Sequence, residues 1–174
     1  MLKRRQRTAL VAAALATLLV AASVAAAQTI RGTQGDDTLT GTENADKIIG
    51  KKGDDQISGL PGNDKLFGKK GKDTVTGDEA NDRVDGGGGS DSVDGGTQDD
   101  MVDGGGGEDE IAGGDGGDSI KSRGDGKKAD HVSCGEGEDT VRADRNDVVD
   151  EDCEKVKVSG GGGQGHGRGH DEAS

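Results

Sequence analysis

From Gly32 to Lys121 the chain places one aliphatic residue every nine positions, ten times without a gap: Leu39, Ile48, Ile57, Leu66, Val75, Val84, Val93, Val102, Ile111 and Ile120. The residues on either side of each are mostly polar. In a strand the middle of three residues points one way and its neighbours the other, so each aliphatic sits in a short strand and faces inward. For the repeat that opens at Gly50, Ile57 is expected to point in, with Gln56 and Ser58 toward solvent. A fixed period of this length signals a solenoid rather than a globular core.

The polar positions keep the same register. Two residues before each aliphatic stands an aspartate: Asp37, Asp46, Asp55, Asp64, Asp73, Asp82, Asp91, Asp100, Asp109 and Asp118. Each repeat opens on glycine, from Gly32 to Gly113, and most carry a second glycine at position four: Gly35, Gly53, Gly62, Gly71, Gly89, Gly107 and Gly116. Glycines at positions one and four permit positive φ, so the backbone can turn tightly and aim carbonyl oxygens at one point. The aspartate adds a hard anionic oxygen. Calcium takes six to eight oxygen ligands in adaptable geometry, and this pattern can supply them. Two aliphatic side chains per eighteen residues bury too little to offset the ordering of the backbone. Neighbouring aspartates also repel. Calcium binding and folding are therefore expected to be one event.

The repeat resembles the RTX, or haemolysin-type, calcium-binding nonapeptide repeat G-G-x-G-x-D-x-U-x. That resemblance implies an all-β parallel β-roll, a β-helix-like solenoid in which two repeats complete one coil. It also implies that aspartates of repeats n and n+2 share a calcium ion with backbone carbonyls, pairing Asp37 with Asp55, Asp46 with Asp64, and onward to Asp100 with Asp118. About eight ions then fit the regular array. The chain departs from the pattern in places. Position two is glycine only at Gly87, Gly96, Gly105 and Gly114, and position four carries Asn44, Ala80 and Gln98. Weaker sites are expected at those three turns and at Asp73, beside Lys69, Lys70 and Lys72. RTX toxins and enzymes also carry an effector or catalytic region, and nothing here is long enough to be one.

After Lys121 the register slips. Gly124–Ser133 reads as an expanded repeat with Asp130 and Val132 in the aspartate and aliphatic roles, and Cys134–Arg142 as a regular one with Asp139 and Val141. Asp147 and Val149 suggest one more, and Glu154–Val158 alternates like a closing strand. Cys134 and Cys153 are nineteen residues apart, close to one coil, and neighbouring coils lie about 4.8 Å apart. A disulfide stapling the cap is expected, the alternative being two free thiols or a metal pair.

Composition and charge set the rest. Residues 1–27 read as a signal peptide: Lys3, Arg4, Arg5 and Arg7, an apolar run, then Ala25-Ala26-Ala27 before Gln28. An uncleaved anchor is the alternative reading of the same run. Removing those four cations would take the net charge from −13 to −17. So acidic a chain is a poor partner for nucleic acid, and no membrane contact is expected after cleavage. Calcium ions are the expected partners, followed by a cell-surface polymer or other copies of the chain. The expected domains are 28–121 for the regular repeats, 122–159 for the cap, and a disordered Gly/His tail at 160–174. The motifs of catalysis are absent, and Gly117-Asp118-Ser119-Ile120 is fully accounted for by the repeat. The chain therefore reads as a secreted, extracellular, non-enzymatic calcium-binding protein. The alternatives are a calcium-dependent structural or adhesive surface component, and an accessory module for a separate secreted enzyme.

Overall fold

The computed structural model describes residues 26–122 and 128–159. The expected signal peptide and tail fall outside these residues, apart from the last two residues of the signal segment. So does the start of the expanded repeat. Fifteen strands and no helix make up the described chain. Eight odd-numbered strands form one parallel sheet: β1 Thr29–Arg31, β3 Lys47–Lys52, β5 Lys65–Lys70, β7 Arg83–Gly88, β9 Met101–Gly106, β11 Ser119–Lys121, β13 Thr140–Asp144 and β15 Lys155–Ser159. Seven even-numbered strands form the other: β2 Thr38–Thr40, β4 Gln56–Ser58, β6 Thr74–Thr76, β8 Ser92–Thr97, β10 Glu110–Asp115, β12 His131–Glu136 and β14 Val148–Val149. Each coil thus contributes one strand to each sheet, in a parallel β-solenoid of about seven turns.

The aliphatic ladder forms the core. Ile48 pairs with Leu66 and Val84 with Val102 on one sheet, while Ile57, Val75 and Val93 align on the other. All of them are buried. Gln56 is exposed and Ser58 half-buried, as alternation requires. At the ends the core thins. Ile30 and Leu39 are only partly covered at one end, and Val156 and Val158, on the last described strand, are exposed at the other.

Two features differ from the sequence reading. Many strands are six residues long, running through the aliphatic triplet into the first three positions of the next repeat. Positive φ is found at positions two and four, not at positions one and four. Gly53 and Gly87 carry it, and so do Lys51, Leu60, Lys69, Asp78, Ala80 and Gln98, while Gly35 does not. The position-one glycines serve close approach instead. A Cβ on Gly86 would lie 2.6 Å from the carbonyl oxygen of Gly104, one coil on, and 2.8 Å from Asp91 Oδ2.

The slip after Lys121 is absorbed without breaking either sheet. Ile111 pairs with Val132 and Ile120 with Val141, so partners here stand twenty-one residues apart in sequence instead of eighteen. Cys134 and Cys153 are joined by a disulfide with Cα atoms 5.2 Å apart, which ties the last coil to its neighbour.

Candidate metal centre

The aspartates stand where each turn enters its strand, and the periodicity stacks them. Asp55 Oδ1 accepts the backbone N–H of Asp37 at 2.9 Å, and Asp73 Oδ1 that of Asp55 at 2.9 Å. On the other side Asp64 Oδ1 accepts from Asp46, Asp82 from Asp64, Asp100 from Asp82 and Asp118 from Asp100, at 2.6–2.8 Å. Asp91, Asp109, Asp130 and Asp139 continue the two ladders. Each carboxylate is thereby fixed to the turn of the preceding coil, which brings together every aspartate pair that the sequence pattern suggested.

The first two repeats are built differently. Asp37 Oδ2 accepts the backbone N–H of Thr33 at 2.6 Å, and Asp46 Oδ2 accepts both the N–H and the hydroxyl of Thr42. Their second oxygens are satisfied from within the repeat. Further on, the Oδ2 atoms of Asp55, Asp64, Asp73, Asp82, Asp91, Asp100, Asp118 and Asp139 are buried and accept no hydrogen bond. Leaving such an oxygen without a partner costs its full desolvation.

The cap also completes the ladders, using residues the periodicity did not single out as ligands. Asp147 Oδ1 accepts from the N–H of Asp130 at 3.2 Å, and Glu154 Oε2 from that of Asp139 at 2.9 Å. The signal for Glu154 was present in the spacing. It precedes Val156 by two residues, as each aspartate precedes its aliphatic.

Burial dominates the electrostatics. It pushes Asp82 and Asp100 up to about 7, and Asp64 and Asp91 to about 6. The hydrogen bond from the preceding coil opposes this, and the charges of neighbouring aspartates add to it. Asp55, Asp73 and Asp118 are raised for the same reasons. The protein alone thus holds these carboxylates in an environment that disfavours their charge.

A hard divalent cation fits this arrangement. The donors are all oxygens, which suits calcium rather than a thiophilic metal. From Asp55 to Asp100, and again at Asp118, the orphaned Oδ2 borders the space that a position-one glycine leaves open, and a carbonyl from the next coil borders the same space. At Gly113 that space is flanked by Asp118 Oδ2 at 2.5 Å and by the Cys134 carbonyl at 2.6 Å from the site a Cβ would take. A carbonyl and a carboxylate oxygen that border one buried space, the carboxylate oxygen without a hydrogen-bond donor, form a donor set that a cation can satisfy.

The remaining motifs lead elsewhere. Asp118 belongs to the ladder, so Gly117-Asp118-Ser119-Ile120 is structural. His131 Nε2 pairs with Asp150 at 3.0 Å on the surface. Cys134, Asp152 and Cys153 cluster, but the disulfide removes both thiolates as ligands. A solenoid of calcium-binding repeats is typically a structural device rather than a catalytic one.

The RTX calcium-binding nonapeptide repeat, a family described by four copies of the unit, matches residues 25–57, 58–93 and 85–120. Among curated proteins none matches the chain. The matched stretch covers more than half of the sequence and contains the ladder aspartates from Asp37 to Asp118. The chain belongs to the RTX calcium-binding nonapeptide repeat family.

Proposed function

We propose that this is a secreted protein that folds by binding calcium between the turns of neighbouring coils. The observation that carries the reading is the set of buried Oδ2 atoms without a hydrogen-bond partner, which from Asp55 to Asp100 and at Asp118 share a glycine-vacated space with a carbonyl of the next coil. Two rows of carboxylates at strand spacing, about 4.8 Å apart, repel one another until a cation lies among them. The ion removes that repulsion and gives each orphaned oxygen a partner, so binding energy becomes folding energy.

The ligands proposed are the position-six aspartates from Asp37 to Asp118, with Asp130 and Asp139 extending the rows. The turn glycines supply the backbone shape. About eight ions would fill the regular array, and the gaps bounded by Asp37 and Asp46 would bind more weakly, because Thr33 and Thr42 already occupy one oxygen of each. The disulfide agrees with an oxidising destination, and the basic-then-apolar start of the chain with export. Extracellular calcium modules have dissociation constants of about 10⁻⁴–10⁻³ M, so the chain would stay unfolded in a low-calcium cytosol.

Far-UV circular dichroism of the chain in chelator and in millimolar calcium tests this. β-structure is expected only with calcium, with magnesium far less effective. A spectrum already β-rich in chelator and unmoved by calcium would refute coupled folding. Equilibrium dialysis then counts the ions.

A further inference from the structure

Within the regular repeats, three adjacent strands contradict the charge around them. Between Gly32 and Lys121 the chain has nine Lys and Arg, and seven of them lie on three adjacent strands, β3, β5 and β7. The register stacks them. Lys47 aligns with Lys65 and Lys65 with Arg83, while Lys51 aligns with Lys69 and Lys52 with Lys70. Like charges directly opposite one another on a sheet are destabilising. None of the seven forms an ion pair with a carboxylate among the described residues.

The fold does not require these cations. The strand positions equivalent to Lys47, Lys65 and Arg83 on the opposite sheet carry Gln56, Thr74 and Ser92. Nor does the backbone favour them. Lys51 and Lys69 adopt φ of 98° and 87°, conformations that suit glycine. Gly87 takes the same place one strand further on.

Phe67, the sole aromatic residue of the chain, sits at the centre of this grid. Lys69 Nζ lies 4.7 Å from the ring centroid and Lys47 Nζ 5.6 Å. The ring holds two ammonium groups in place without cancelling their charge. Beside it runs a shallow groove of about 420 Å³, lined by Gln34, Ile49, Lys51, Lys52, Lys69 and Lys70.

We infer that this face binds a linear anionic polysaccharide, one carrying carboxylate or sulfate groups along its length. Charge complementarity selects an anion. The repeat of cations at strand spacing, about 4.8 Å, is close to the length of one sugar residue and matches a polymer with regularly spaced charges. Nucleic acid fits less well, because the one aromatic ring is engaged by ammonium groups and offers no stacking platform for bases. A second copy of the chain fits less well too. The acidic pairs on its paired strands, Asp85 with Asp103 and Asp115 with Glu136, run only two strands, and Lys121 already holds Asp103.

The test titrates the full chain, in calcium, against fluorescein-labelled heparin and oligogalacturonate. Neutral dextran and an oligothymidylate serve as comparisons. One or both charged sugars should bind, dextran should not, and added salt should weaken binding. Lys47→Gln/Lys65→Gln/Lys69→Gln should weaken it about tenfold, and Lys121→Gln, two strands beyond β7 and already paired with Asp103, should not. Phe67→Leu keeps the charge but frees the ammonium groups, and about a threefold loss is expected. Circular dichroism checks each fold. If the triple variant fails that check, Lys52→Gln/Lys70→Gln, both exposed, should still show weakened binding. The proposal is overturned if neither charged sugar binds, if the folded lysine variants bind like the parent, or if oligothymidylate binds as tightly as the sugars. It is also overturned if sedimentation shows the lysines to govern self-association while sugar binding is unchanged. The inference rests on a folded roll, so the same titration is repeated in chelator. A chain that is folded and sugar-binding there overturns the calcium reading alone. A chain that folds with calcium yet ignores both sugars overturns this face alone.

Discussion

Replacing Asp82 by asparagine separates an ion ligand from a merely structural acceptor. Asparagine keeps an oxygen for the N–H of Asp64, so the ladder hydrogen bond survives. Its Nδ2 replaces Oδ2 beside the Gly95 carbonyl, since both Asp82 Oδ2 and that carbonyl border the space over Gly77. Two oxygens in opposition become a donor and an acceptor. The gain can be sized. Burial holds Asp82 at about 7 against an ordinary 3.8. At about 1.4 kcal/mol per unit, the ionised carboxylate costs the metal-free fold at most roughly 4 kcal/mol above pH 7. Asparagine brings its own desolvation, so about 2 kcal/mol of relief is expected. In calcium the sign reverses. Asp82 faces two gaps in its row, toward Asp64 and toward Asp100. A tenfold loss of affinity at each removes about 3 kcal/mol of calcium-dependent stabilisation. Trimethylamine oxide can drive the chelated chain to fold, so its midpoint reports the metal-free stability. Calorimetry reports the calcium sites. Asp82→Asn should need less osmolyte than the parent in chelator, yet bind calcium at least tenfold more weakly at the two adjacent gaps. A variant that needs more osmolyte and binds calcium unchanged would show the carboxylate to be a hydrogen-bond acceptor and nothing more.

The same electrostatics predict a pH dependence. A carboxylate raised on folding stabilises the metal-free roll fully below about 3.8, and that contribution is lost as pH climbs through about 6 to 7. In chelator, β-structure by circular dichroism should therefore grow as pH falls from about 8 to 5, while the calcium midpoint rises over the same range. A flat response in both would count against the buried charges. Gly68→Ala would set a Cβ 2.6 Å from the Gly86 carbonyl and against Asp73 Oδ2, and should cost about 3 kcal/mol or more in calcium-bound stability. Gly35→Ala meets nothing within 4 Å and should stay within about 0.5 kcal/mol by urea unfolding, so equal losses would contradict the geometry. Ala80→Gly and Gln98→Gly release residues held at φ of 86° and 79°, and each should raise calcium-bound stability by about 1 kcal/mol. A loss at either would mean that the left-handed turn is not the strained element.

The period of nine was sufficient for a solenoid and the identity of the inward residues, while the alignment of aspartates two repeats apart came from the resemblance to the RTX repeat. In a repeat each unit meets only its neighbours, so local spacing dictates long-range contact. Even the cap was legible to that extent: Asp130, Asp139 and the cysteine pair occupy the places their spacing implied. Other features depended on how coils stack. Sequence places the threonines at positions 33 and 42 in the same repeat as their aspartates, but not the turn that brings Thr33 onto Asp37. It shows glycine at position one, but not that the need there is for space rather than positive φ, because the carbonyl that fills the space comes from a residue eighteen positions away. Along the chain Lys69, Lys70 and Lys72 read only as charge beside the turn of Asp73, and nothing joins them to Lys47, Lys51, Lys52 and Lys65. Only the parallel register turns all of these but Lys72 into rows on a single sheet, because sheet pairing joins residues eighteen apart and alternation decides which of them share a face. Composition and spacing thus determined what each repeat contains, and the stacking of coils decided which oxygens are left without a hydrogen and which cations without a carboxylate.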